Sequence, residues 1–204
     1  MTKTVSALYD NYDDAAAAVR ALEDAGIPAA DISLVSNNVD KHYSAGAEKE
    51  TAADIAADGA GAGSLVGGGA GLLAGLGLIA IPGVGPVVAA GWLAATAVGA
   101  AAGAIAGAIG GGIVGALTRS GVGEEDAHFY AEGVRRGGSL VSARVISDRA
   151  ADAQAILDSH DHVDMNARRE LFRDTGWRQF DEEGRAISEE ELRRARQDPR
   201  TPIL

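Results

Sequence analysis

Sixty consecutive residues, Gly59 to Thr118, carry no charged side chain, and no other feature constrains the fold of this chain as strongly. Nineteen of the 28 glycines lie within them. In GAAAGAIAGAIGGGIVG, Gly99, Gly103, Gly107, Gly111 and Gly115 recur at every fourth position; Gly59, Gly63, Gly67, Gly71 and Gly75 follow the same period earlier. Glycine costs a helix about 1 kcal/mol relative to alanine, so a repeated glycine needs a compensating contact. Residues four apart share one helix face, and a face without side chains lets a second backbone approach closely. With Gly91 opening the second series and Ala95 filling its gap, these eleven glycines read as a helix-packing interface. IPGVGP (81–86) is a tight reversal. The spacing predicts an antiparallel helical hairpin over 59–80 and 87–118, about 33 and 48 Å long at the usual helical rise.

Ile105, Ile109, Ile113 and Leu117 each stand two residues after a glycine of the second stripe, on the opposite helix face. A helix apolar all round must be covered on both sides. A bilayer would do this, since each segment exceeds the roughly 20 residues needed to span one. Stacked hairpins of further copies would do it equally. Lys41, Lys49 and Arg119 flank the segment with a weak positive bias. Trp92, its one aromatic residue, suits either a membrane interface or ordinary packing. The opening MTKTVSALYD has no sustained apolar run and does not read as a signal peptide. The expectation is a cytoplasmic membrane location with the flanks on the cytoplasmic side, or alternatively the cytoplasm.

The flanks carry all the charge, with a net of −11 for the chain. That balance disfavours nucleic acid as a partner, because phosphate binding needs a basic footprint. In residues 1–58, Val5, Ala7 and Tyr9 alternate as in a half-buried strand. Asn11 or Asp13 can cap a helix with Ala15, Ala18, Val19 and Leu22 on one face, stopped by Gly26–Ile27–Pro28. DISLVSN (31–37) is a second strand with Ile32 and Leu34 on one side. Residues 119–166 echo this order: an acid-led helix ending in Arg135 and Arg136, and a strand alternating Val141, Ala143 and Val145. A helix capped by Asp148 follows, with Ala153, Ile156 and Leu157 inward, and HVDMN (162–166) as a closing strand. The predicted class is α+β, a ferredoxin-like βαβ…αβαβ domain interrupted by the glycine-rich hairpin. In the extension 167–204, Trp177 and Phe180 anchor a turn, and Ser188 with Glu191 forms a capping box.

YDNYDDAAAAVRALEDAGIPAADISLVSN, GVGEEDAHFYAEGVRRGGSLVSARV and VDMNARRELFRDTGWRQFD together resemble the bacterial general stress protein family, whose members carry a heat-induced stress domain. The resemblance covers residues 4–37 and 121–180, and the insert resembles the glycine zippers of membrane-associated bacterial proteins. It implies a stress-linked, non-enzymatic protein and brings no catalytic residues with it.

No constellation of residues points to catalysis, a metal or a cofactor. GAGSLVG and GAGLLAG have the wrong glycine spacing for a dinucleotide fingerprint, and no P-loop lysine follows them. His160, Asp161, His162 and Asp164 are chemically capable metal ligands, but in HDHVD they read as a solvated turn. His128 and Tyr130 read as surface and core rather than an acid–base pair. Arg168, Arg169, Arg193, Arg194 and Arg196 could meet anionic lipid heads, yet their interleaved acids favour solvated helix faces. The expected function is non-enzymatic self-association through the hairpin, in or on the membrane. A soluble particle or filament and a small-ligand regulatory module are the alternatives, the latter by fold analogy alone.

Overall fold

The structure is a computed structural model that describes residues 1–37, 72–81, 83–96, 112–188, 190–192 and 194. It is an α+β fold around one five-stranded antiparallel sheet in the order β1-β5-β2-β4-β3. The strands are β1 (Thr2–Tyr9), β2 (Ile32–Asn37), β3 (Gly77–Ile81), β4 (Gly85–Gly91) and β5 (Ser139–Ile146). The helices are α1 (Tyr12–Asp24), α2 (Gly112–Arg119), α3 (Glu124–Arg135), α4 (Ala150–Asp158) and α5 (Met165–Asp174).

The first half folds as its residues dictate. Asn11 accepts from the Asp14 amide at 2.9 Å and so caps α1. Gly26, at φ 79°, ends it, and the Ile27 amide reaches back to the Leu22 carbonyl at 3.1 Å. Strand β5 then enters between β1 and β2, antiparallel to both, with Ala143 opposite Val5 on one side and Ile32 on the other. Both sheet faces are covered. Val5, Ala7 and Tyr9 of β1, Ile32 and Leu34 of β2, and Val141, Ala143 and Val145 of β5 pack with α1 and α4 residues Ala15, Val19, Leu22 and Leu157. On the other face Leu8, Val35 and Leu140 join Ile113, Leu117, Ala127, Phe129 and Val134 of α2 and α3, and Phe172 of α5.

The middle of the chain departs from the expected helical hairpin. The reversal at 81–86 is present, but it joins strands: β3 pairs antiparallel with β4, from Gly77 opposite Ala89 to Ile81 opposite Gly85. The alternation decides the outcome, since Ile79 and Ile81 are buried at 6% and 4% exposure while Leu78, just before them, is 49% exposed. A β-branched run that matches a sheet period gains more from pairing with β2 through β4 than from a helix that leaves one apolar face uncovered. Helix returns at residues 92–96 and again in α2. The rest of the predicted hairpin, including 59–71 and 97–111, lies outside the described residues.

Two smaller expectations are also corrected. Asp148 does not cap α4; it sits in a 3-10 turn over Ser147–Arg149, and α4 begins at Ala150 with no side-chain cap. The closing strand at 162–166 is reduced to a single bridge from His162 to Tyr9. Asp164 prevents more, because its carboxylate accepts from the Asn166 and Ala167 amides at 2.8 and 3.0 Å and starts α5 there.

Candidate functional site

Of the predicted packing stripe, Gly59, Gly63, Gly67, Gly71, Gly99, Gly103, Gly107 and Gly111 lie outside the described residues, as do Ile105 and Ile109. The structure does not bring the remaining members together on a helix–helix contact. Gly75 ends a 3-10 turn, Leu72–Gly75, just before β3. Gly91 ends β4 at φ 84°, and a side chain there would drive into the Ile32 carbonyl of β2. Gly115 is buried in α2. Ile113 and Leu117 are fully buried, and the cover they required is the domain's own sheet and α3. Trp92 packs at the edge of the same cluster, with the Arg144 guanidinium 4.9 Å from its ring centroid.

The densest polar chemistry joins α3 to α5. Asp126 receives the Arg169 guanidinium at 2.7 Å, and Glu125 receives Arg169 at 3.4 Å and Arg173 at 3.0 Å. Arg168 makes a two-pronged bond to Asp10, both contacts at 2.7 Å. The arginines of α5 are thus partnered by carboxylates, as the interleaved acids suggested. At the end of α3 the Glu132 carboxylate, with 0% exposure, is clamped by Arg135 through two bonds at 2.8 Å and by Arg136 at 2.5 Å. Arg136 also lies 4.4 Å from the Phe172 ring centroid, tying α3 to α5. Sequence reasoning missed Glu132, although its spacing of three and four from two arginines is the signal of a helical ion pair.

A shallow cleft opens beside this seam, lined by Glu124, Glu125, His128, Arg173, Trp177 and Arg178 among others. Its charges are mixed, and Glu125 pairs with Arg173. His128 is half-buried on α3 and Tyr130 is core, its hydroxyl donating to the Ser6 carbonyl at 3.1 Å. Burial pushes the hydroxyls of Tyr9 and Tyr130 well above the ordinary phenol range, with the neighbouring carboxylates adding to the shift. His160 and His162 are turn residues, His160 Nδ1 lying 3.0 Å from the Ile156 carbonyl. Among the described residues no cluster of three or more metal-ligating side chains forms.

The C-terminal segment lies against the β3–β4 reversal. A side chain at Gly83 (φ 73°) would meet the Asp181 carbonyl at 2.5 Å and Phe180 Cζ at 2.9 Å; one at Gly85 (φ 97°) would meet Ala186 Cβ at 2.9 Å. At Gly112 (φ 64°) it would stand 3.3 Å from Glu182 Oε1. Partial burial here raises the Glu182 carboxyl above the usual carboxylate range, an effect that nearby His128 reduces. Phe180 and Trp177 anchor the turn as expected, Phe180 at 3% exposure. The Ser188–Glu191 capping box is present in both directions: the Ser188 amide donates to Glu191 at 2.9 Å and the Glu191 amide to Ser188 at 3.3 Å.

Residues 4–81 match the family model of the heat induced stress protein YflT domain. This supports the general stress protein family that residues 4–37 resemble. The YflT match spans β1, α1, β2 and β3, less than half of the 204 residues, and stops short of the second resembling stretch at 121–180. No curated protein and no solved structure matches the chain.

Proposed function

We propose that this is a non-enzymatic, stress-associated protein that self-associates through its uncharged glycine-rich insert while an acidic α+β domain is displayed to solvent. The stress assignment rests on the YflT match. One observation supports the association: the domain completes both sheet faces from its own helices, using Ile113 and Leu117 to do so. We assign the repeat Gly99, Gly103, Gly107 and Gly111, which lies outside the described residues, to contact with another copy on its sequence period alone. We read the domain itself as ferredoxin-like, with β5 seated between β1 and β2 and the last strand reduced to the Tyr9–His162 bridge.

Contact between copies and insertion in a bilayer both fit an uncharged glycine-rich insert of this length. Among the described residues no helix is long and apolar enough to cross a membrane. Attachment to the cytoplasmic membrane and a free particle in the cytoplasm are the two forms such an assembly takes. Ultracentrifugation of a detergent-free lysate followed by gel filtration separates them: sedimentation with membranes means attachment, and a large soluble species means a free particle. Replacing Gly103, Gly107 and Gly111 together by leucine is expected to reduce the assembly towards single copies; an unchanged size sinks the proposal.

A further inference from the structure

We propose that β3 is a self-pairing edge, along which a second copy of this chain adds antiparallel to make one sheet continuous across both copies. The contact lies in the sheet rather than in the glycine repeat, so it stands apart from the self-association reading above. The two edges of the sheet are β1 and β3, and only one of them is guarded. β1 carries the exposed Lys3 near its start. At its far end Tyr9 bridges to His162, and the Val163 amide donates to the Leu8 carbonyl at 2.8 Å. β3 has none of the usual protections of an edge. Its sequence GLIAI holds no charge and no proline, it pairs with β4 in unbroken register, and Leu78 is exposed. Among the described residues no backbone hydrogen bond reaches its outer side.

The register with β4 fixes which backbone groups face outward. Ala80 stands opposite Pro86, which has no amide to donate, so that pair occupies a non-hydrogen-bonded position of the ladder. Leu78, two residues earlier and opposite Val88, occupies another. The amides and carbonyls of Leu78 and Ala80 therefore point away from β4. A two-fold axis through Ile79 is the arrangement that overlaps the whole strand. It sets Leu78 of each copy opposite Ala80 of the other, and each such pair exchanges two hydrogen bonds. Large residues then meet small ones, leucine with alanine and Ile81 with Gly77. Charge selects the same occupant. The chain has a net charge of −11, but residues 59–118 contribute none of it, so two copies meet here without bringing like charges into the strand pair. A charged peptide would find no counter-charge on the strand. The contact is small, so the pair forms and parts with concentration.

The test uses the full-length chain, both wild type and with Gly103, Gly107 and Gly111 replaced by leucine to take the glycine repeat out of play. Mass is read by sedimentation velocity, and the edge by exchange of the Leu78 and Ala80 amides. In the triple-leucine chain paired copies are expected at high concentration, with both amides exchanging about tenfold more slowly than after dilution. Leu78→Lys puts a charge on the exposed edge and should give single copies with both amides fast at every concentration. Ala80→Pro, which gives up only the outward amide, should do the same and serves if the lysine chain does not fold. Single copies with fast amides throughout overturn the proposal. Slow exchange that persists in single copies also overturns it, since the chain then covers its own edge. Paired copies whose two amides stay fast, or whose mass neither variant changes, overturn it too. The amides of the wild-type chain decide alone if the triple-leucine chain does not fold. A triple-leucine chain that keeps the wild-type size sinks the repeat reading, and leaves the edge standing when Leu78→Lys breaks that assembly into single copies.

Discussion

Gly91 and Gly26 both adopt a left-handed backbone, at φ 84° and 79°, but only one of them is crowded. A Cβ at Gly26 meets nothing within 4 Å, whereas one at Gly91 enters the Ile32 carbonyl of the neighbouring strand. Gly26→Ala should therefore cost only the backbone term, about 1–2 kcal/mol, and Gly91→Ala about 2 kcal/mol more for the forced shift of β2. Urea unfolding midpoints compare the two directly. Glu132 is the other decisive residue. Replacing it with leucine strands two largely buried arginines, with side chains 18% and 12% exposed, and is expected to cost about 3 kcal/mol. Replacement by glutamine keeps one acceptor oxygen that both guanidiniums can share, and should cost less.

At the scale of elements, caps set where helices begin. Asp164→Ala removes the acceptor of two amides in the first turn of α5 and should cost about 1 kcal/mol, read out as faster amide exchange in residues 165–168. The first half of the domain was legible because its signals agree: alternation in β1 and β2, the Asn11 cap and the Gly26 stop all point to the same elements. The middle was misread because two signals conflict there. Glycine at every fourth position suggests a helix, while Ile79 and Ile81 alternating with Leu78, followed by Val87 and Val88, suggest strands. The second signal prevails because β4 can pair with β2, a partner far away in sequence that no local period reveals. The glycines at 83, 85 and 112 are equally opaque from sequence, since what they accommodate is a segment about 70 to 100 residues further on.

At the scale of the whole molecule, the buried tyrosines link stability to alkaline pH. Both hydroxyls ionise less readily in the fold than the ordinary value of about 10. Below that value both folded and unfolded forms are protonated and stability is unaffected. Above it the unfolded chain loses protons first, so stability falls as pH rises. Tyrosinate absorbance should thus appear together with loss of helical circular dichroism rather than before it. Tyr9→Phe, which gives up the 2.9 Å bond to the Leu157 carbonyl, should lower stability at neutral pH and make the alkaline loss shallower.

The placement of β5 also sets an order of events during synthesis. Strands β1 and β2 are finished by residue 37, yet they do not touch; the strand that joins them begins at Ser139. At about 5–20 residues per second, a nascent chain waits on the order of 5 to 20 seconds with a one-strand gap at its centre. Within that interval β4 of the uncharged segment is made and can pair with β2, but β1 has no strand partner until β5 emerges. A fragment ending at residue 81, which contains the whole YflT match, should accordingly show no cooperative unfolding transition by circular dichroism. The vulnerable moment falls on the ribosome, before the keystone strand arrives.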